Sequence, residues 1–310
     1  MLQTRYTCNE SMAETFSPSK VLQRRLDALS DALPGVREEQ VEAVHRTRVA
    51  TRRLREVIPI VVANKHMARG FSRRLRDGNR ELGPIRELDV LAQLITGLQR
   101  ESRYSGAALQ LVHEAVSRER RRACGRLKSS VRQLGKLTTK LNDVVADLQS
   151  AEHAELRKIR RNWRWGVQAR VVHRASRVRS AMDHAGVLYA SGPLHEVRVA
   201  IKKLRYAIEL SDEIGERQQG AVTTLKSAQD LLGRQHDLEV FLMWDRQLQL
   251  SGPRRGSWSG LAALTQAIES DCRELHARYV RERPALIALT ARVGVDTTSA
   301  SAIADVRRAG

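Results

Sequence analysis

A passage that the chain writes twice constrains its fold more than any other feature. Residues 45–56 read HRTRVATRRLRE and residues 195–206 read HEVRVAIKKLRY, with six of twelve positions identical and two Arg/Lys exchanges. A second pair follows in step, LGPIRELDVL at 82–91 and LGRQHDLEVF at 232–241. Both pairs are offset by 150 residues without a gap. Two matches at one offset mark an internal duplication, so the fold must hold one supersecondary unit twice. A length of 310 residues suits two such units.

Apolar residues recur at helical spacing, and no stretch alternates over a strand's length. The chain is therefore expected to be all-α. The first unit parses into helices at roughly 19–33, 38–66, 71–100 and 106–149, and the second into 168–186, 193–213, 218–248 and 258–290. Pro34-Gly35 is expected to close the first helix and Pro59 to kink or end the second. Ser191-Gly192-Pro193 is expected to open the repeat helix of the second unit. The expected division is a disordered segment 1–18, a first four-helix unit 19–149, a linker 150–167 with Trp163 and Trp165, a second unit 168–290 and a tail 291–310. A basic loop is expected around 251–257.

The net charge of +19 is shared, with 28 Lys/Arg in residues 1–150 and 26 in residues 151–310. Charge of this size is usually matched to a polyanion. In the first repeat helix His45, Arg48, Arg52 and Arg55 are spaced i, i+3, i+7 and i+10. They fall on one stripe about 15 Å long, opposite Ala43, Ala50, Leu54, Val57 and Val61. His195, Arg198, Lys202 and Arg205 repeat the stripe, flanked by Arg53 and Lys203. Any amphipathic surface helix opposes charge to an apolar face. This stripe contains no acid, recurs across the duplication with its histidine, and is mainly arginine, whose planar fork suits phosphate. Like charges one turn apart destabilise a helix, and an anionic ligand would compensate.

The second motif has a structural reading. Gly83 and Gly233 lie inside helical patterns, where close helix approach would explain them. Glu87, Asp89, Asp237 and Glu239 are candidates to hold the stripe arginines, and the equivalent Arg76 and Lys226 to extend the cationic surface. Cys8, Cys124 and Cys272 form no disulfide or metal pattern, and the N-terminus shows no signal-peptide run, so a cytoplasmic location is expected. No apolar stretch is long enough to span a membrane.

At these residues the chain resembles the CHAD family, the conserved histidine α-helical domain. The family pattern is similar to H-x-x-R-V-x-x-R-R-L-R followed by L-G-x-x-R-D-x-D-V. Residues 45–55 match the first part throughout, and 195–205 match with lysines at 202 and 203. Leu82, Gly83, Arg86 and Asp89 match the second part, with Glu87 where aspartate is usual, whereas the second unit keeps Leu232, Gly233 and Asp237. The resemblance spans roughly 19–290. It implies two four-helix bundles related by a pseudo-twofold axis, whose repeat helices meet around a basic central channel. It also implies binding of inorganic polyphosphate and association with polyphosphate or polyester storage granules. By position, the polymer would be held by His45, Arg48, Arg52, Arg53, Arg55, His195, Arg198, Lys202, Lys203 and Arg205, with Arg76 and Lys226 in a second tier.

Three other classes compete with polyphosphate binding. A nucleic-acid binder agrees with the charge, but 4% aromatic residues argue against base stacking, which leaves nucleic acid as a non-specific competitor. A metal-dependent phosphohydrolase would use His236-Asp237, yet the repeat has Arg86-Glu87 there. A granule-surface scaffold is compatible with polymer binding, and Trp163, Trp165 and Trp258 are read as core anchors or linker packing. No enzymatic activity, metal or cofactor is expected.

Overall fold

Ser17 opens α1 (Pro18–Arg37): its hydroxyl accepts the Lys20 amide at 3.3 Å, and Pro18 fits the first turn. The computed structural model describes residues 17–101, 103–125, 127–215, 218, 220–251 and 258–306. α1 does not stop at Pro34-Gly35. Leu33 and Val36 are buried, and packing carries the helix past the proline until Glu39 adopts a left-handed φ of 58°. α2 (Val41–Val61) ends within a turn of Pro59. Asn64 then opens α3 (Lys65–Glu81), accepting the amides of His66 and Met67 at 2.9 and 3.1 Å.

α4 (Gly83–Leu98) follows directly, so the helix expected over 71–100 is broken at Leu82. Gly83 is thus a first helical residue and not an interior one, and Pro84 behind it needs no partner for its missing N–H. α5 (Gly106–Cys124) is capped by Ser105, and Gly125 divides the helix expected over 106–149. α6 (Leu127–Ala185) contains the whole expected linker 150–167, whose one non-helical residue is Glu155. Its apolar period explains why: Trp163, Val167, Val171, Ala175, Val178 and Met182 are all buried at helical spacing. α7 (Ser191–Glu213) starts at the expected Ser-Gly-Pro, and α8 (Ala221–Ser251) follows glycines 215 and 220, with φ of 85° and 74°. α9 (Trp258–Val306) runs through most of the expected tail, past buried Leu289 and Val293. The expected N-terminal segment lies almost wholly, and the loop 252–257 entirely, outside the described residues.

The chain is all-helical among the described residues. Its apolar side chains form three clusters. The first joins α1, α2, α3 and α6 as far as Val167, and takes in Leu210 and Ile214 at the end of α7. The second joins the C-terminal half of α6 with α7, the start of α8 and the later part of α9. The third takes α4 and α5 from the first repeat and the distal half of α8 and proximal half of α9 from the second. Leu91, Ile95, Leu109 and Val112 there share a core with Phe241, Leu264 and Ile268. The boundaries expected at 149 and 168 lie on either side of a kink at Glu155 in α6, and the third cluster is shared between the two repeats.

Candidate functional site

The apolar faces of α2 and α7 fix where their cations point. Ala43, Ala50, Leu54 and Val57 are buried on α2, and Val197, Ala200, Ile201 and Leu204 on α7. The opposite faces meet across a cavity of about 810 Å³, closed by α4, α8 and the end of α3. His45, Arg48, Arg52 and Arg55 line it from α2, and His195, Arg198, Lys202 and Lys203 from α7. Eight of the twelve residues singled out in the sequence are thus brought together.

Four are not in the wall. Arg53 and Arg205 both turn to Glu209: Arg53 pairs with it at 3.1 Å, and the Arg205 guanidinium donates to it and, at 3.0 Å, to Gln229. Both also approach the ring of Tyr206, at 6.0 and 4.9 Å. Glu209 stands at the place of Pro59 in the repeat, so it has no counterpart in α2. Arg76 and Lys226 are exposed on α3 and α8.

The cavity also holds residues that the stripe argument did not name, above all Arg86, Arg234 and His236, with Asn79 and Gln229. Arg86 and His236 occupy equivalent places at the 150 offset, so a basic side chain recurring in the second motif was the available signal. Arg234 stands opposite Pro84 in the repeat and carried no signal.

Each of the two glycines sits beside the first arginine of its stripe. A Cβ on Gly83 would lie 3.4 Å from Arg48 Nη1, and one on Gly233 would lie 3.8 Å from Arg198 Nε. Both are ordinary van der Waals distances, so the close helix approach expected at these glycines is not what they serve. The Arg48 guanidinium donates to the Asn79 carbonyl, which fixes its direction. Of the four acids expected to hold the stripe, Asp237 lies 4.0 Å from Arg198 and Glu87 lies near Arg48. Asp89 instead pairs with Arg120 at 2.5 Å, and Glu239 accepts from Tyr189 and Gln235 at 2.9 and 3.3 Å. Glu239 also lies 4.0 Å from His236, and its charge reaches Arg198.

Cations outnumber anions in the cavity. Eight arginines and lysines line it against four carboxylates, Glu56, Glu87, Asp230 and Asp237. Glu56 is consumed by Arg170 at 2.5 Å and Arg174 at 2.9 Å, behind the wall. The surplus shows in the acid–base behaviour. Burial first, then Arg52 and Arg86, pushes Arg48 down to about 10. Burial and the charges of Arg198, Arg52 and Arg48 push Lys202 down to about 6. Arg55, Arg198 and Lys203 are lowered chiefly by burial as well. His45 is lowered by burial and Arg86, and His195 by burial and Arg198. His236 is pushed to about 4 by burial, Arg198 and the neighbouring His195, whose ring centroid is 4.6 Å away. Among the described residues no group of three or more His, Cys, Asp or Glu is placed to hold a metal ion, the His236-Asp237 pair included.

Comparison with known proteins places this architecture. The CHAD domain family model matches residues 20–244. The chain belongs to the CHAD domain family. The match takes in both cavity helices and ends inside α8, so α9 lies beyond it. The crystal structure of the CHAD domain from the plant Ricinus communis is similar with a TM-score of 0.60 at 18% identity, covering 89% of this chain and 91% of that one. PptA from Streptomyces chartreusis is similar with a TM-score of 0.51 at 18% identity, covering 91% and 98%. At that identity the likeness is one of fold. No curated protein matches the sequence. No helix among the described residues is long and apolar enough to cross a membrane.

Proposed function

We propose that this CHAD protein binds inorganic polyphosphate in the cavity between α2 and α7. The observation that carries the reading is the uncompensated charge: eight arginine and lysine side chains converge on one recess whose carboxylates are fewer and partly engaged elsewhere. Partly buried cations with lowered basicity are waiting for countercharge. A linear polyanion supplies a negative charge at every unit and reaches both walls at once. Guanidinium forks from Arg48, Arg52, Arg55 and Arg198 suit phosphoryl oxygens. The resemblance of the two stripes to the family's polyphosphate-binding motif supports the same ligand. A nucleic-acid duplex, with phosphates outside a wide rigid cylinder, cannot bring them into a recess. Holding a long polymer would carry the protein to storage granules made of it. Binding, with no catalytic step, is the proposed activity.

The test is a salt titration of binding to long-chain polyphosphate, with duplex DNA of matched total charge in parallel. Tight polyphosphate binding that survives excess DNA is expected. Equal affinities that disappear together with salt would make the protein a generic basic surface.

A further inference from the structure

Helix α3 carries a second row of cations that the cavity does not contain. Lys65, Arg69, Arg73, Arg76 and Arg80 lie within a sector of about 80° and extend about 22 Å. All five are exposed, whereas Ala68, Phe71, Leu75 and Gly78 form the buried face. Of the five, only Arg76 has an ion-pair partner among the described residues, Asp77 at 3.8 Å. Glu81, the other acid of the helix, accepts the Ser130 hydroxyl.

This charge pattern works against the helix. The first turn has no acid, and Lys65 and Arg69 sit at its positive end. Residues 65 and 69, 69 and 73, and 76 and 80 are like-charged i,i+4 neighbours, each unfavourable. A row kept for solubility would mix its signs. Nor is the row shared by the duplication: the equivalent places are Gly215, Gln219, Thr223, Lys226 and Asp230, which retain one cation.

The row begins where the cavity ends. Asn79 and Gly83 line the cavity, and Arg76 and Arg80 stand on the turns beside them. Arg76 is close enough to Arg55 for their charges to repel. We propose that the exposed cationic face of α3 is an external track that receives the emerging end of a long linear polyphosphate held in the cavity, and so sets the protein's preference for chain length. Once one stretch is held inside, contact between its continuation and α3 is intramolecular. Each phosphate paired there releases counterions, with no pocket required.

This inference rests on polyphosphate binding in the cavity, and its test separates the two. Three variants are compared with the parent chain for affinity toward tripolyphosphate, long-chain polyphosphate and duplex DNA. They are Arg69→Gln/Arg73→Gln/Arg80→Gln on the track, Arg118→Gln/Arg121→Gln/Arg161→Gln as a charge-matched control on exposed positions of α5 and α6, and Arg48→Glu/Arg198→Glu in the cavity. The track variant should bind long chains at least about tenfold more weakly, with its salt slope reduced by about 2, if three contacts each contribute about 0.7. Its tripolyphosphate affinity should match the parent's, and the control should bind both polymers nearly as the parent does. Equal loss in track and control variants would overturn the track and leave general charge as the cause. Loss of DNA binding alone would reassign α3 to nucleic acid. If the cavity variant keeps full affinity while the track variant loses it, the cavity reading fails and α3 is an independent surface.

Discussion

Lys202 gives the sharpest prediction, because it links binding to protons. It is partly buried and faces Arg48, Arg52 and His45 from α2, Arg198 and His195 on its own helix, and His236 and Asp237 from α8. Asp237 is the one carboxylate close by, and its own pKa is raised, chiefly by burial. With a pKa of about 6, Lys202 is about nine-tenths neutral at pH 7 in the empty protein. A phosphate beside it restores an ordinary ammonium, with pKa near 10. Affinity should then rise about tenfold per unit as pH falls between those values, level off below pH 6, and gain about 50-fold from pH 8 to pH 6. Calorimetry at pH 7 in two buffers of different ionisation enthalpy should count about 0.9 proton taken up per site. Long-chain polymer is the ligand of choice, since only its two ends titrate in this range. Lys202→Arg, always charged, should remove that uptake and leave the smaller contribution of His45 and His195. The empty protein shows the opposite sign: between about pH 6 and 10 the unfolded chain holds the extra proton, so stability rises with pH across that window. Heat independent of buffer, with affinity flat from pH 8 to 6 at fixed salt, would refute the reasoning.

Three further outcomes follow from the same geometry. Arg48→Glu with Arg198→Glu should abolish polyphosphate binding with the far-ultraviolet helical signal intact, since both side chains line the cavity and neither lies in the core. Glu56→Gln should lower stability by about 3 kcal/mol in denaturant titrations, because Arg170 and Arg174 would keep buried charge without a carboxylate. Gly78→Ala should cost about 1–3 kcal/mol by thermal unfolding, as its Cβ would stand 2.7 Å from Leu134 Cδ2 where α3 meets α6. A Gly78→Ala protein as stable as the parent would mean that Leu134 yields freely.

Much of the site was legible because charge and period coincide in it. Placing His45, Arg48, Arg52 and Arg55 opposite Ala50 and Leu54 needs only the helical repeat, and the motif that recurs 150 residues later supplies the second wall. Arg53 and Arg205 lie outside the cavity wall. Both sit at the edge of their stripes, where one acid without a counterpart, Glu209, captures them. Helix ends were less legible, because local signals were overruled by packing. Pro34 was expected to stop α1, but buried Val36 lies beyond it, and the polar run 157–162 hid the Trp163–Val167–Val171 period that carries α6 through the expected linker. Leu82 breaks a helix two residues before Pro84, a proline that suits the first turn of a new helix, whereas Gly125 breaks one where no proline stands nearby and the apolar pattern continues. The third core cluster was not legible at all, since nothing local shows that α4 and α5 pack on the opposite repeat.

That cluster bears on how the site can exist. Most of α7 belongs to the second apolar cluster, and only Leu210 and Ile214 at its end reach the first, which holds α2. The mutual repulsion of the two cationic faces opposes their confrontation. The third cluster supplies the opposing force. Leu88, Leu91 and Ile95 of α4 pack with Leu238, Phe241 and Leu242 of α8, while Arg86, Glu87, His236 and Asp237 of the same two helices stand in the cavity wall. The apolar sides of α4 and α8 thus fasten the repeats together directly beneath the charge that drives them apart. A single repeat would leave its share of that cluster in water and carry only one wall, an open cationic surface in place of a recess. Loosening the shared core, as Phe241→Ala would by deleting a fully buried ring, should therefore weaken polyphosphate binding by more than its distance from the stripe arginines suggests.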